Sequence, residues 1–199
     1  MARAHPPQNH VLACLQTTVR EVNLPWIFGL SSSGARPELT ATTEQFRTAQ
    51  VNGQRVIAAA TAVEKEFEKI INARVAGEPG IVNSYFSEHI LGAEWFTFST
   101  KRKLVLEIFG EFDHLKGKDK SEAETILSKV IKLRNHFAHG HFVSRNGDVF
   151  ISYFDGVRTE EILSEQFWGM VETTFNRAIE LLVKGQKSMG ITPGWGYAG

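Results

Sequence analysis

The sequence predicts a mainly α-helical fold with a small β-hairpin near its C-terminal end. Apolar residues between positions 42 and 75 recur at spacings of three, four and seven, which is typical of an amphipathic helix. A second amphipathic stretch runs from Ser121 to Gly140. After Gly140 the apolar period shortens, and Asn146-Gly147 then separates two strand-like runs. These three observations predict a helical domain that carries a hairpin.

Size and composition limit the class of protein. The chain has 199 residues, which is enough for one domain with a substantial core, and its formal net charge is zero. A neutral chain can hold nucleic acid only through a local basic patch or a seam between subunits. The single cysteine, Cys14, cannot form an internal disulfide and predicts a reducing compartment. We find no apolar run long enough to span a bilayer and no secretory signal, so we expect a cytoplasmic protein without a membrane partner.

Composition divides the chain into three parts. Residues 1–37 hold four of the six prolines and predict an irregular N-terminal arm, with at most one short helix around residues 11–22. Residues 38–187 form the predicted helical domain. Residues 188–199 are rich in glycine and predict a flexible tail.

Local signals place the elements inside that domain. The predicted helices cover residues 42–75, 83–91, 101–115, 121–140 and 164–185, and the predicted strands cover 142–145, 148–154 and 157–163. The pair Asn52-Gly53 could kink or divide the first helix. Ser99 or Thr100 is the expected cap of the third helix, and the four residues from Ser121 read as a capping box. Gly140 is expected to end the fourth helix in a left-handed conformation, and Ser164 to cap the last.

The helix over 121–140, which we call the signature helix, has two apolar strips. At about 100° per residue, one strip is the core stripe, and a second lies beside Arg134. The core stripe contains Ile126, Val130, Leu133 and Phe137, and the second strip contains Leu127, Ile131 and Ala138. Asn135 and His139 are four residues apart and share a polar face that flanks the second strip. This arrangement is expected of a site at a cleft between helices or at a dimer seam.

The residue types at this end of the helix suit phosphate chemistry. Arg134 offers a planar fork of donors that fits a phosphate or a phosphorane. Histidine titrates near neutral pH, and His139 lies in the last turn, where the helix dipole favours a positively charged ring. Asn135 can orient either neighbour. Because no acidic residues or grouped metal ligands accompany them, we expect metal-independent acid–base chemistry on a phosphodiester, with no cofactor.

The string Arg134-Asn135-x-x-Ala138-His139-Gly140, closing an amphipathic helix, resembles the signature of the HEPN superfamily (higher eukaryote and prokaryote nucleotide-binding domains). The segment from Phe98 to Leu104 is similar to the helix that often precedes this signature. The resemblance covers roughly residues 40–185, and the signature helix is its specific part. It implies a four- or five-helix up-and-down bundle that dimerises through facing signature helices.

The resemblance also implies a function. Many HEPN proteins are metal-independent endoribonucleases in which the RNA 2′-hydroxyl attacks the adjacent phosphate. Carried over, Arg134 would stabilise the phosphorane, His139 would act as acid or base, and Asn135 would position them. Some members are toxins paired with a nucleotidyltransferase antitoxin, and others act in phage defence. The alternative is a non-catalytic regulator, since the string is also similar to that of mannitol-repressor relatives; the hairpin and the N-terminal arm depart from the minimal toxin pattern.

Five further residues are candidates for substrate binding. His141 also satisfies the spacing from Arg134 that the signature permits, but we prefer His139 as the active histidine because His141 follows Gly140. His136 and Lys132 lie on the neighbouring side of the signature helix. Lys101 and Arg102 could hold phosphates, although a solvated charged face explains them equally well.

Overall fold

The computed structural model describes residues 39–77 and 80–192, with side chains from Thr43 onward. The predicted arm over 1–37 and residues 193–199 of the predicted tail lie outside these ranges. The described chain is mainly helical and carries a three-stranded antiparallel sheet, as predicted. The elements are α1 (Leu39–Val75), α2 (Ile81–Phe86) with a π-helical turn (Ser87–Leu91), α3 (Phe98–Glu111), α4 (Gly117–His139), β1 (His141–Arg145), β2 (Asp148–Asp155), β3 (Val157–Ile162) and α5 (Glu165–Ser188).

Helix α1 is continuous through Asn52-Gly53, so the helix does not divide there. A Cβ atom at Gly53 would lie 2.9 Å from Cδ1 of Phe137 and 3.0 Å from Cζ of Phe142. The glycine therefore serves close packing against two aromatic rings, and those contacts offset its low helix propensity.

The core lies among the four longer helices. Helix α1 packs against α3, α4 and α5, and α4 also packs against α3 and α5. Fully buried side chains from each helix meet there, including Phe67, Phe109, Leu127 and Leu182. Burial of each such side chain contributes roughly 1.5–3 kcal/mol relative to exposure. No helix within the described ranges is long and apolar enough to cross a bilayer.

The signature helix corresponds to α4, and its core stripe is largely as predicted. Val130, Leu133 and Phe137 are buried, and Ile126 is half-buried. The second strip is covered only in part, because Leu127 is buried, Ile131 is half-buried and Ala138 is exposed. The surface beside Arg134 is therefore open near the C-terminal end of α4 in the single chain.

Two predicted helix caps are wrong. Helix α3 begins one turn earlier than expected, because the Thr97 hydroxyl accepts a hydrogen bond from the Thr100 amide at 3.3 Å. Helix α4 begins at Gly117, whose positive φ of 51° lets the chain turn directly into the helix. Ser121 consequently lies inside α4, where its hydroxyl donates to the Lys118 carbonyl instead of capping.

The sheet follows the predicted order. Asn146 and Gly147 have φ values of 52° and 85°, which is the left-handed pair that a tight two-residue hairpin turn requires. Strand β2 pairs with β1 and with β3, so the hairpin is extended by the third predicted strand. Buried side chains of β2, among them Ile151 and Tyr153, face α1 and α4. The sheet thus covers one side of the C-terminal half of α4.

Helix α5 begins as predicted, with the Ser164 hydroxyl accepting from the Phe167 amide at 3.2 Å. Its expected end near Gly185 is wrong, since the helix continues to Ser188. Gly185 is inside the helix because a Cβ there would overlap the buried ring of Phe109. Here too the glycine allows two elements to approach closely.

Candidate functional site

An aromatic cluster fixes the C-terminal end of α4. The ring of Phe137 has centroid distances of 6.2 Å to Phe142, 6.1 Å to Phe167 and 5.6 Å to Trp168. These rings come from β1 and α5, so two other elements hold the last turn of α4. The residues on either side of Phe137 in the signature are positioned by this packing.

Gly140 follows α4 directly and is not left-handed, so the predicted conformation is wrong. Its φ and ψ are −79° and 170°, which is extended backbone, and its amide donates to the His136 carbonyl at 2.8 Å. A Cβ on Gly140 would overlap that carbonyl oxygen and would lie 3.0 Å from the Ser152 carbonyl oxygen. Glycine is needed because the helix end packs tightly against the backbone of β2.

Arg134, Asn135 and His139, which we call the Arg-His site, lie in the last two turns of α4. The Arg134 guanidinium donates to the Asn135 amide oxygen, with a distance of 3.2 Å between Nη1 and Oδ1. Arg134 is half-buried, whereas Asn135 and His139 are exposed. Within the described part of the chain, no hydrogen bond or ion pair engages the His139 ring. The described fold therefore leaves these polar groups available to a ligand.

His136 has a different environment from its neighbours. Its ring stacks on Tyr153, with centroids 3.5 Å apart and planes 13° from parallel. Its Nδ1 atom is buried and has no hydrogen-bond partner among the described residues. Burial lowers the pKa of His136, and the nearby charges of Glu161 and Asp155 oppose that effect only in part. His136 is thus a neutral packing residue between α4 and β2, which gives no support to the expectation that it binds substrate.

Tyr153 is a residue that sequence reasoning did not identify. Burial, followed by a hydrogen bond with Glu161, raises the pKa of Tyr153 to about 12. The phenol therefore stays protonated, and its ring packs against the imidazole of His136. No local signal marks this pair, because the two residues belong to a helix and to a strand that returns against it.

Lys101 is buried, and its ammonium group forms 2.7 Å ion pairs with Glu64 and Glu68 of α1. Burial alone would lower the pKa of Lys101, but the hydrogen bonds to the two carboxylates outweigh it and raise the pKa. The charge is neutralised between α1 and α3, so the expectation that Lys101 contacts substrate finds no support.

Arg102 reaches the Glu124 carbonyl through Nη1 at 3.4 Å. Glu124 is ten residues before Arg134, which corresponds to about 15 Å along α4. The structure therefore does not bring Arg102 to the Arg-His site, and the expectation that Arg102 holds a phosphate stays a prediction.

The remaining two candidates stay near the end of α4. Lys132 forms an exposed ion pair with Asp155, with 3.2 Å between Nζ and Oδ2. His141 is exposed at the first position of β1, where it pairs with Ser152 in the strand register. Because only Gly140 separates His139 from His141, both histidines lie at this end of α4, and the choice between them stays a prediction.

Two grooves in the described ranges lie elsewhere. The first, which we call the α1–α5 groove, has a volume of about 370 Å³ and includes Asn52, Trp168 and Phe175. The second, of about 530 Å³, lies between the start of α1 and the hairpin turn at Gly147. Neither contains a residue of the Arg-His site. Among the described residues, no three histidines, cysteines or carboxylates gather as a metal site.

No protein-family model, curated protein or solved structure matches this chain. The class that the observations define is therefore a mainly helical protein with a three-stranded sheet and, at one helix end, a half-buried arginine beside an exposed asparagine and an exposed histidine. The resemblance to the HEPN superfamily stays a prediction that depends on the signature residues.

Proposed function

We propose that this chain is a metal-independent endoribonuclease of the HEPN type. The proposal rests on the hydrogen bonding and the exposure of the residues in the Arg-His site. Arg134 and Asn135 are joined at 3.2 Å, and the His139 ring is exposed beside them with no partner in the described chain. The free donors of these groups can therefore contact a phosphate without breaking a hydrogen bond that the fold needs.

The proposed reaction is an internal transesterification. The RNA 2′-oxygen bonds to the adjacent phosphorus, the bond from phosphorus to the 5′-oxygen breaks, and the products carry a 2′,3′-cyclic phosphate and a 5′-hydroxyl. Arg134 stabilises the negative charge that develops on the phosphorane oxygens. His139 takes the proton from the 2′-hydroxyl or gives one to the leaving oxygen. Asn135 holds the guanidinium through its amide oxygen.

A homodimer is part of the proposal. The Arg-His site of one chain lies on an open surface and lines neither groove. The half-buried Ile131 and exposed Ala138 lie on the open strip beside Arg134. Pairing of two such strips would bury this apolar surface and bring two His139 rings to one cleft. One ring can then act as base while the other acts as acid.

The test is cleavage of single-stranded RNA in the presence of EDTA, with analysis of the product ends. We expect His139→Ala to lower the rate by about 10²–10⁴-fold, as for loss of a general acid or base. Arg134→Ala should lower it by about 10²–10³-fold, as for loss of a transition-state donor. His89→Ala is the matched control, because His89 is an exposed histidine outside α4 whose ring contacts Tyr85.

Two results would contradict the ribonuclease. One is equal rates in wild type, His139→Ala and His89→Ala, which would indicate a contaminating nuclease. The other is cleavage of an RNA whose 2′-hydroxyl at the scissile position is replaced by hydrogen. Sedimentation of the wild type should show a dimer. A monomer at the concentration of the cleavage assay would contradict the proposed cleft between two subunits.

The alternative is a non-catalytic HEPN regulator similar to mannitol-repressor relatives. One observation favours it: the Arg-His site lines neither of the two grooves described above. An open surface suits docking of a partner as well as it suits a half-cleft. In that case RNA cleavage is absent, while Arg134→Ala weakens binding of a protein partner. A nucleotidyltransferase antitoxin is the partner that the resemblance implies for the ribonuclease, if it acts as a toxin.

A further inference from the structure

The α1–α5 groove has a lining of mixed polarity. Its apolar lining residues are Val56, Ala59, Trp168, Val171 and Phe175, and charged side chains such as Arg55 and Glu172 line it as well. A volume of about 370 Å³ falls within the range of about 300–1,000 Å³ that is typical of ligand sites. A groove of this kind suits an apolar side chain on a polar-flanked segment.

One wall of the groove is fixed by contacts on its far side. Trp168 stacks on Phe137 at 5.6 Å with planes 27° apart, and it meets Phe167 edge-on at 5.2 Å. The Ser164 cap holds the start of α5 just before these residues. A wall that is already ordered lowers the entropic cost of binding.

The chain itself contains a segment with matching chemistry. Residues 24–30 read Leu-Pro-Trp-Ile-Phe-Gly-Leu, and this apolar segment is followed by Ser31-Ser32-Ser33. It belongs to the residues outside the described ranges. Burial of tryptophan and phenylalanine side chains contributes strongly to association.

The connection between segment and groove is long enough. Ile27 is twelve positions before Leu39, where α1 begins, and an extended chain of that length spans up to about 40 Å. Asn52, which lines the groove, is thirteen residues into α1, or about 20 Å along its axis. The second groove, between the start of α1 and the hairpin turn, also contains Trp168 and lies on this path.

We propose that residues 24–30 bind in the α1–α5 groove of their own chain, with Trp26, Ile27 and Phe28 as the inserted side chains. The tether gives the segment an effective concentration on the order of millimolar. Binding within one chain therefore prevails over binding between chains at micromolar protein. This inference is independent of the ribonuclease proposal, since it involves none of the residues of the Arg-His site.

The test is disulfide trapping in the full-length chain with Cys14→Ser as background. The first variant carries Ile27→Cys and Arg55→Cys, which lies in the groove. The matched control carries Ile27→Cys and Gln54→Cys; Gln54 is exposed, adjacent in sequence and absent from the groove lining. Both pairs have nearly the same tether, so their rates of oxidation by glutathione disulfide differ only if the segment prefers the groove.

We expect the Arg55 pair to form an intrachain disulfide at least tenfold faster than the Gln54 pair, with equal rates in urea. Trp26→Ala with Phe28→Ala should remove this preference. Far-UV circular dichroism confirms that each variant is folded. Equal rates in buffer would overturn the proposal, and so would disulfides that form chiefly between chains, which would mean that a second copy supplies the segment.

Discussion

Replacement of Gly140 by alanine tests how the end of α4 is positioned. An added Cβ would overlap the His136 carbonyl oxygen and would lie 3.0 Å from the Ser152 carbonyl oxygen and 3.1 Å from Cγ1 of Ile151. Two of these atoms are backbone, so neither can move aside by a side-chain rotation. The conformation of Gly140, with φ at −79°, is accessible to alanine, and the effect therefore comes from contact alone.

The expected loss of stability follows from these close contacts. Forcing a methyl group into a close-packed position costs about 1–3 kcal/mol. For a protein of this size each kcal/mol lowers Tm by about 2–4 °C, so we expect a decrease of several degrees. Relief of the clash must move the helix end away from β2, which displaces His139. In the ribonuclease assay Gly140→Ala should lower the cleavage rate by more than the increase in the unfolded fraction accounts for.

The control is Gly169→Ala. Gly169 lies inside α5 and is exposed, and a Cβ atom added there would meet no heavy atom within 4 Å. Alanine at this position should raise the free energy of unfolding by roughly 0.5–1 kcal/mol, because glycine is the poorer helix former. Thermal unfolding followed by circular dichroism measures both variants. If Gly140→Ala were as stable as the wild type, tight packing of the helix end on β2 would be refuted.

Three further predictions concern stability, each measured by urea unfolding. Lys101→Met should lower the free energy of unfolding by about 2–3 kcal/mol, because it leaves two carboxylates without their buried partner; an unchanged midpoint would contradict the ion pairs. Because the pKa of His136 is lowered in the folded protein, the free energy of unfolding should fall as the pH decreases from the ordinary histidine range towards the folded pKa. His136→Phe keeps the stack on Tyr153 and should make the free energy of unfolding depend less on pH. Thr97→Ala should cost about 1 kcal/mol while Ser99→Ala costs little; the reverse order would place the cap of α3 where the sequence suggested it.

Much of the fold could be predicted because its signals are local. Helical periodicity, the Asn146-Gly147 turn and the Ser164 cap act over a few residues. These signals predicted the helices, the three strands and the start of α5. The predicted cap of α3 is wrong by two or three residues, since several neighbouring hydroxyls could cap and only the path of the preceding loop selects Thr97.

The Arg-His site was also recognisable in part from the sequence. A helical repeat brings Asn135 and His139 to one face, and the structure leaves both exposed. Lys101 and His136 could not be assigned in this way. Their environments depend on Glu64, Glu68 and Tyr153, which are 37, 33 and 17 positions away, as the residue numbers show.

The amino-acid sequence by itself determined that the chain forms amphipathic helices followed by a hairpin and that Arg134, Asn135 and His139 share one helix end. Tertiary structure decided which charged and polar groups remain available there. It pairs Lys101 inside the bundle, stacks His136 on Tyr153, and uses Gly53, Gly140 and Gly185 as points of close approach. The physical reason is that local periodicity follows from backbone geometry, whereas desolvation, pairing and contact arise only when distant segments meet.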